Sequence, residues 1–403
     1  MLCKEVTVMK KIFLVCLLVF IAALGFANSD DLGLYSFLYN NSTTQLEQLS
    51  LLNVISRMEL NGAGEFYATA LSRLISANQN IRGATDRNFA DEQAILLANL
   101  LGQEKHTSAA ADLWRMYDAF TNPLVRAEVL MALGKMQAAD LLPQVISELN
   151  RLNTNAPAGD RLNSERIAFG AIIALEKYQD ISGYLPVYFA SVGWYSDRIT
   201  DQARRSLEII SSDPTEPMLE VIRSSGSNYE TKLTALRTIE SSSVPAASKS
   251  QVAVAALSEG WRATTTDVRL RGQLVTIRRT AMGMIRANGA SDDEVYPLLE
   301  RSYRQFADRT DGDRDEAIET IVTLRTLATE EAARRLSSFL MTLNSKLQSG
   351  TLTNNDQSLV REIIPALGAT RQAVARQALS VVIALDWPPA VKTLAEDALK
   401  QIP

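Results

Sequence analysis

What most constrains this chain is a recurring helical grammar with little to interrupt it. From residue 43 onward almost every segment places apolar side chains at i, i+3, i+4 and i+7, and runs of alternating strand pattern are absent. The apolar segments are DEQAILLANLLGQ (91–103), PLVRAEVLMALGKM (123–136), SERIAFGAIIALEKYQ (164–179) and TDQARRSLEII (200–210). They continue with YETKLTALRTIES (229–241), DVRLRGQLVTIRRTAMGMIRANG (267–289), RDEAIETIVTLRTL (314–327) and SLVREIIPALGATR (358–371). Each is followed by a turn of Gly, Ser, Asp, Asn or Pro and then a second helix, such as AADLLPQVISELNRL (138–152). Successive first helices start about 30–45 residues apart, the period of a two-helix repeat. A single pair cannot bury its apolar face alone, whereas a stack of pairs can. The spacing therefore predicts an all-α solenoid of about eight or nine helix pairs.

The residue types inside the segments suit such a stack. Small residues (Ala94, Ala98, Ala132, Gly170, Ala171, Ala174, Ala235, Ala366) let neighbouring helices approach closely. Leu, Ile and Val at the other inner positions supply buried area, each worth roughly 1.5–3 kcal/mol when fully covered. Asp91, Ser164, Asp267 and Ser291 stand where a side-chain oxygen is expected to cap the start of a helix.

VRAEVLMALG (125–134), followed by DLLPQVISEL (140–149), resembles a HEAT repeat. In that family an apolar–Arg pair leads the first helix, Ala-Leu-Gly closes it, and an Asp-x-x-Pro-type turn opens the second. LVREIIPALG (359–368) is similar, with its Val-Arg pair one residue nearer to Ala-Leu-Gly, and ANLLG (98–102) and AIIALEK (171–177) keep fragments. The resemblance implies a HEAT-like α-solenoid over residues 43–386. Tetratricopeptide repeats are the rival within this class, but neither a fixed 34-residue spacing nor that family's Trp/Gly/Tyr signature is present. Residues 28–42, aromatic-rich and without a long helical pattern, are expected to form a lead-in over the first pair. WPPAVKTLAEDALKQI, in the closing segment 387–403, is expected to be an amphipathic helix capping the far end, with Lys392, Glu396, Asp397 and Lys400 outward.

The first residues carry a different message. Lys10 and Lys11 precede the 15-residue apolar run Ile12–Phe26, which ends in Gly25-Phe26-Ala27 before a polar stretch. That pattern predicts a secretory signal peptide over 1–27, cleaved after Ala27, with an uncleaved membrane anchor as the alternative. The run is short for a bilayer span, which needs about 20 residues. Met9 offers a more compact start. Cys16 has too few apolar residues before it to suit lipid modification. Cys3 and Cys16 are the only cysteines, so a cleaved chain has neither disulfides nor thiol chemistry. Cleavage also removes three lysines and one glutamate, taking the net charge from −5 to −7. A mildly acidic exported chain is not expected to bind nucleic acid. Expected localisation is periplasmic or secreted.

Little catalytic chemistry is legible. His106, the single histidine, lies in a turn between helices. DGDRDE (311–316), read as a calcium loop from Asp311, places Glu316 where Gly is needed and Val322 where a bidentate Glu belongs. Acids gathered at a helix start account for it instead. No cofactor or metal is called for, and the chain is expected not to be an enzyme. The alternative is an α/α-toroid enzyme acting on polysaccharide, for which two carboxylates suffice. Against it stand a 6% aromatic content and four widely spaced tryptophans, Trp114, Trp194, Trp261 and Trp387.

One feature stands out as a candidate partner site. Between Arg262 and Arg286 there are six arginines and a single acid, Asp267. At 100° per residue, Arg271, Arg278, Arg279 and Arg286 share a sector of about 100°, away from Leu270, Leu274, Ile277 and Ala281. The sector is either a docking strip for a carboxylate- or phosphate-bearing partner or a solvated face pairing with acids such as Asp313, Asp315 and Glu319. With Arg204, Arg205, Lys232 and Arg237 from neighbouring first helices, the strip is expected to extend into a basic band. The expected function is an exported scaffold mediating protein–protein interaction in the cell envelope, with a protein partner on that band, an acidic one being the kind its charge suits.

Overall fold

The computed structural model describes residues 29–58, 62–156, 159–290, 292–307 and 312–403. The expected leader, Ser291 and Asp311 lie outside them. The described residues form twenty α-helices and no strand. They are α1 (Ser29–Asn41), α2 (Gln45–Arg57), α3 (Gly64–Asn78), α4 (Ala84–Gln103), α5 (Ala110–Ala119), α6 (Pro123–Met136) and α7 (Leu142–Thr154). Next come α8 (Arg161–Tyr178), α9 (Tyr184–Val192), α10 (Asp197–Ile210), α11 (Thr215–Arg223), α12 (Tyr229–Ser241), α13 (Ala246–Arg262) and α14 (Val268–Asn288). The chain ends with α15 (Val295–Ala307), α16 (Arg314–Leu327), α17 (Glu330–Gln348), α18 (Asn354–Thr370), α19 (Ala375–Ala384) and α20 (Pro389–Lys400). They divide into two compact units, Met1–Ser212 and Asp213–Pro403.

Each unit is a solenoid-like stack of helix pairs. In the first, α2, α4, α6, α8 and α10 pack successively side by side, backed by α3, α5, α7 and α9. In the second, α12, α14, α16, α18 and α20 form the equivalent row, backed by α11, α13, α15, α17 and α19. This is the expected all-α solenoid.

Glycines set the spacing of the first row. A Cβ on Gly102 would fall 3.0 Å from Ala132 Cα, one on Gly134 2.5 Å from Ala174 Cα, and one on Gly368 2.8 Å from Ala398 Cα. Gly170 answers in the other direction, its Cβ position lying 2.6 Å from the Ala127 carbonyl oxygen. The Leu-Gly endings of three segments are thus notches that admit the backbone of the next first-row helix. Ala94, Ala98, Ala132, Ala171, Ala174, Ala235 and Ala366 are all buried, as close helix approach requires.

Five first-row helices also end alike. Gln137, Gln179, Ala328 and Arg371 close α6, α8, α16 and α18 in the left-handed region at φ 51–56°, and Gly289 closes α14 at φ 73°. Near the starts of α4 and α6 an arginine binds the chain just before the helix. Arg126 Nε donates to Phe120 O at 2.8 Å, and Arg87 Nη2 donates to Ile81 O at 3.1 Å. Arg361, shifted by one residue in the second HEAT-like motif, is exposed instead.

Two expectations change. Residues 29–41 form a helix, because Tyr35 and Tyr39, one turn apart, are both buried. Tyr39 meets Phe66 edge-on at 5.4 Å. Asp91 and Ser164 are not helix caps, since α4 and α8 begin earlier, at Ala84 and Arg161. Asp91 instead accepts a hydrogen bond from Asn122 Nδ2 at 2.8 Å. Asp267 does cap α14, accepting from Leu270 N at 3.0 Å.

Candidate functional site

The arginine-rich helix α14 was expected to present one basic face, and it does not. Leu274, Ile277, Ala281, Met284 and Ile285 are buried, but so is Arg278, which is 3% exposed. Its stem passes over Gly260, where a Cβ would stand 2.6 Å from Arg278 Cγ. Nε and Nη2 donate to the two carboxylate oxygens of Glu316 at 2.7 and 2.8 Å, and Nη1 donates to Gly260 O at 2.9 Å. The guanidinium also lies 4.0 Å from the Trp261 ring centroid. A buried charge survives only when paired and hydrogen-bonded, and here all three nitrogens have partners.

Lys232 is a second correction. It is 3% exposed, and its Nζ donates to Glu259 Oε1 at 2.7 Å while Arg262 holds the other oxygen of that carboxylate at 2.7 Å. Arg278 and Lys232 are therefore internal struts rather than surface groups. Arg279 reaches Asp315 at 3.6 Å, Arg286 pairs with Glu319, and Arg271 Nη2 donates to Thr266 O at 3.4 Å. Arg237 is exposed on α12. In the first unit Arg204 pairs with Asp201 at 2.7 Å and Arg205 donates to Gln202 at 2.7 Å. A basic band over all eight residues is thus corrected: most of these cations are answered locally.

The structure brings together a different set. Between the end of α13, the 263–267 loop, α14 and α15 lies a cleft of about 570 Å³. Trp261, Arg271, Arg278, Arg301, Arg304 and Gln305 line it with the hydroxyl-bearing Thr264–Thr266, and among the described residues no carboxylate does. Trp261 is held in place, its Nε1 donating to Ser302 Oγ at 3.1 Å. Arg301 lies 4.8 Å from the same ring centroid, and no carboxylate among the described residues pairs with it. Arg304 Nε donates to Glu300 Oε1 at 2.7 Å, and Arg335 pairs with the same carboxylate. Burial by itself raises the Glu300 pKa, but the hydrogen bonds from Arg304 and Arg335 outweigh it and hold the carboxyl below its ordinary value. Gln305 Oε1 is buried and accepts no hydrogen bond among the described residues. Trp261 had been read only as one of four scattered indoles. Its neighbour Gly260, which makes room for the Arg278 stem, was the available signal.

Other candidates resolve differently. His106 Nε2 is 2.8 Å from Ser108 Oγ and 3.7 Å from Glu65 Oε1, while its Nδ1 faces the backbone at Gly64. A nucleophile relay uses opposite ring nitrogens for serine and carboxylate, so this is not one. Asp313 caps α16 by accepting from Glu316 N at 2.8 Å, and Glu316 belongs to the Arg278 pair. Among the described residues no group of three or more His, Cys, Asp or Glu could hold a metal ion, and no helix is long and apolar enough to cross a membrane.

No protein-family model matches the chain, and no curated protein matches it in sequence. Among solved structures it is similar to human deoxyhypusine hydroxylase in complex with glycerol, at 16% identity and a TM-score of 0.27 over 84% of this chain and 98% of that one. That structure is of an enzyme, which stands against the expectation that this chain is not one. Fold class does not determine activity, so an all-helical stack by itself gives no ground for excluding catalysis.

Proposed function

We propose that this chain is an exported HEAT-like repeat protein whose second unit docks a protein partner in the cell envelope. The observation that carries the reading is the cleft beside Trp261, lined by four arginines and by no carboxylate among the described residues, on a chain of net charge −5. Arg278 and Arg304 are answered by Glu316 and Glu300, so Arg301, with no carboxylate partner among the described residues, is the cation that favours an acidic partner, whose association is steered electrostatically. The HEAT-like assignment draws on Gly134 and Gly368, which end their motifs against the next first-row helix, and on Arg126, which binds the end of the preceding segment. Export rests on the Lys10–Ala27 leader pattern.

The test is cross-linked capture from the native envelope fraction at low and high salt. A specific partner should be retained by the wild-type chain and released as salt rises, since exposed charges are screened over about 8 Å at physiological ionic strength. Capture should be lost when Arg301 and Arg304 are both reversed to Glu. A wild-type chain that retains no partner refutes the reading. N-terminal sequencing of the native protein should begin near Asn28, and an intact Met1 or Met9 refutes cleavage.

A further inference from the structure

Resting on that reading, we infer that the cleft takes an extended peptide segment bearing a carboxylate side chain, with Arg301 as the group that meets the carboxylate. The four cleft arginines are not equivalent. Arg278 spends its Nε, Nη1 and Nη2 on Glu316 and Gly260, so it forms a wall and cannot receive a ligand. Arg304 is held by Glu300, and Arg271 Nη2 donates to Thr266 O at 3.4 Å. Arg301 is exposed on α15, rests over Trp261 at 4.8 Å, and pairs with no carboxylate among the described residues. Stacking uses the face of a guanidinium and hydrogen bonding uses its edge. The indole therefore orients Arg301 while leaving its donor fork open to a bidentate partner.

The charge suits one carboxylate better than a phosphoryl group. A single uncommitted fork matches a monoanion, whereas a dianion calls for further cations or a nest of backbone N–H groups. Gln305 argues for a peptide. Its Oε1 is turned inward with no donor among the described residues, although the side chain lines the cleft. A buried acceptor without a partner is costly, and rotation toward a donor in the cleft relieves it. Simple carboxylates bring no donor, whereas a peptide brings one N–H per residue. A volume of about 570 Å³ admits a short stretch of chain.

The probe is a capped hexapeptide of alternating Glu and Gly, titrated calorimetrically into the full chain, with the Gln/Gly hexapeptide and inorganic phosphate as comparisons. Arg301→Gln should weaken binding of the acidic peptide roughly tenfold or more, the usual worth of a hydrogen bond to a charged group. Gln305→Met should weaken it less, and Arg205→Gln in the other unit should leave it unchanged. Arg301→Lys keeps the charge and loses the fork, so it should also bind weakly. It serves as the second variant if Arg301→Gln lowers the melting temperature. Wild-type binding by both Arg301 variants overturns the inference, as does equal affinity for the Gln/Gly peptide. Inorganic phosphate that binds the cleft more tightly than the acidic peptide and displaces it also overturns the inference, in favour of a phosphoryl site. Partner capture that survives Arg301→Gln overturns the inference while leaving the protein-binding reading intact. Failure of the wild-type chain to capture a partner overturns that reading itself.

Discussion

Replacing Gly134 with alanine tests the close approach on which the first row depends. In a free helix the change is favourable, because alanine is preferred to glycine by roughly 0.5–1 kcal/mol. In this stack the added Cβ would stand 2.5 Å from Ala174 Cα and 2.8 Å from the Ala174 carbonyl oxygen. Both atoms are backbone, so no side chain can turn away. Carbon atoms rest about 3.5–4.0 Å apart, so α6 and α8 must separate by about an ångström. Overpacking of this kind costs about 1–3 kcal/mol and outweighs the helix-propensity gain. For a unit of this size each kcal/mol moves the melting temperature by about 2–4 °C, so Gly134→Ala should melt a few degrees below wild type. Gly272→Ala is the internal control. It lies inside α14 with nothing within 4 Å of its Cβ position, and should raise the melting temperature instead. Thermal melts of the three proteins, followed by helical circular dichroism, decide the matter. If Gly134→Ala melts at or above wild type, the two helices do not approach as described.

Further substitutions probe the other devices. Arg278→Met leaves Glu316 buried without its cation and should cost about 3–5 kcal/mol in denaturant melts, with most of that recovered when Glu316 is replaced by Met as well. Ala328→Gly relieves a left-handed φ of 51° and should stabilise by up to about 1 kcal/mol. Ala132→Leu crowds the Gly102 notch and should destabilise by roughly 1–3 kcal/mol. Asp356 predicts a pH dependence. Burial by itself raises its pKa, but hydrogen bonds from Thr353 and Lys346 outweigh it and hold the carboxyl below its ordinary value. Its stabilisation is therefore present above the unfolded aspartate pKa near 4 and is lost as pH falls through the lower folded value. Asp356→Asn should be less stable than wild type at neutral pH, and the gap should close on acidification. A gap independent of pH sinks this account.

Fold class was legible from the residues alone, because helix periodicity is a local property. A segment such as 123–136 declares its helix and its need for neighbours without reference to the rest of the chain. The Ala-Leu-Gly endings were legible as a resemblance, but that their glycines admit a neighbouring backbone is visible only in the packed stack. Helix starts were read less well. Polar first turns, as in residues 84–90, lack the apolar signal that marks the rest of α4. The arginines of α14 were decided only by tertiary structure. The helical projection placed Arg278 with Arg271, Arg279 and Arg286 on one outward sector, yet Arg278 is enclosed and Arg279 is not. A first-row helix is covered by the helices on either side as well as by its backing helix, so its buried arc exceeds its apolar stripe. Which charge at the edge of that stripe is enclosed depends on where a neighbour supplies a gap and a carboxylate. Here Gly260 on α13 supplies the gap and Glu316 on α16 the carboxylate, far from Arg278 in sequence. The same packing carries Trp261 and Arg301, 40 residues apart, into one cleft. Such meetings are set by helix register across the stack, which a single helix's period does not encode.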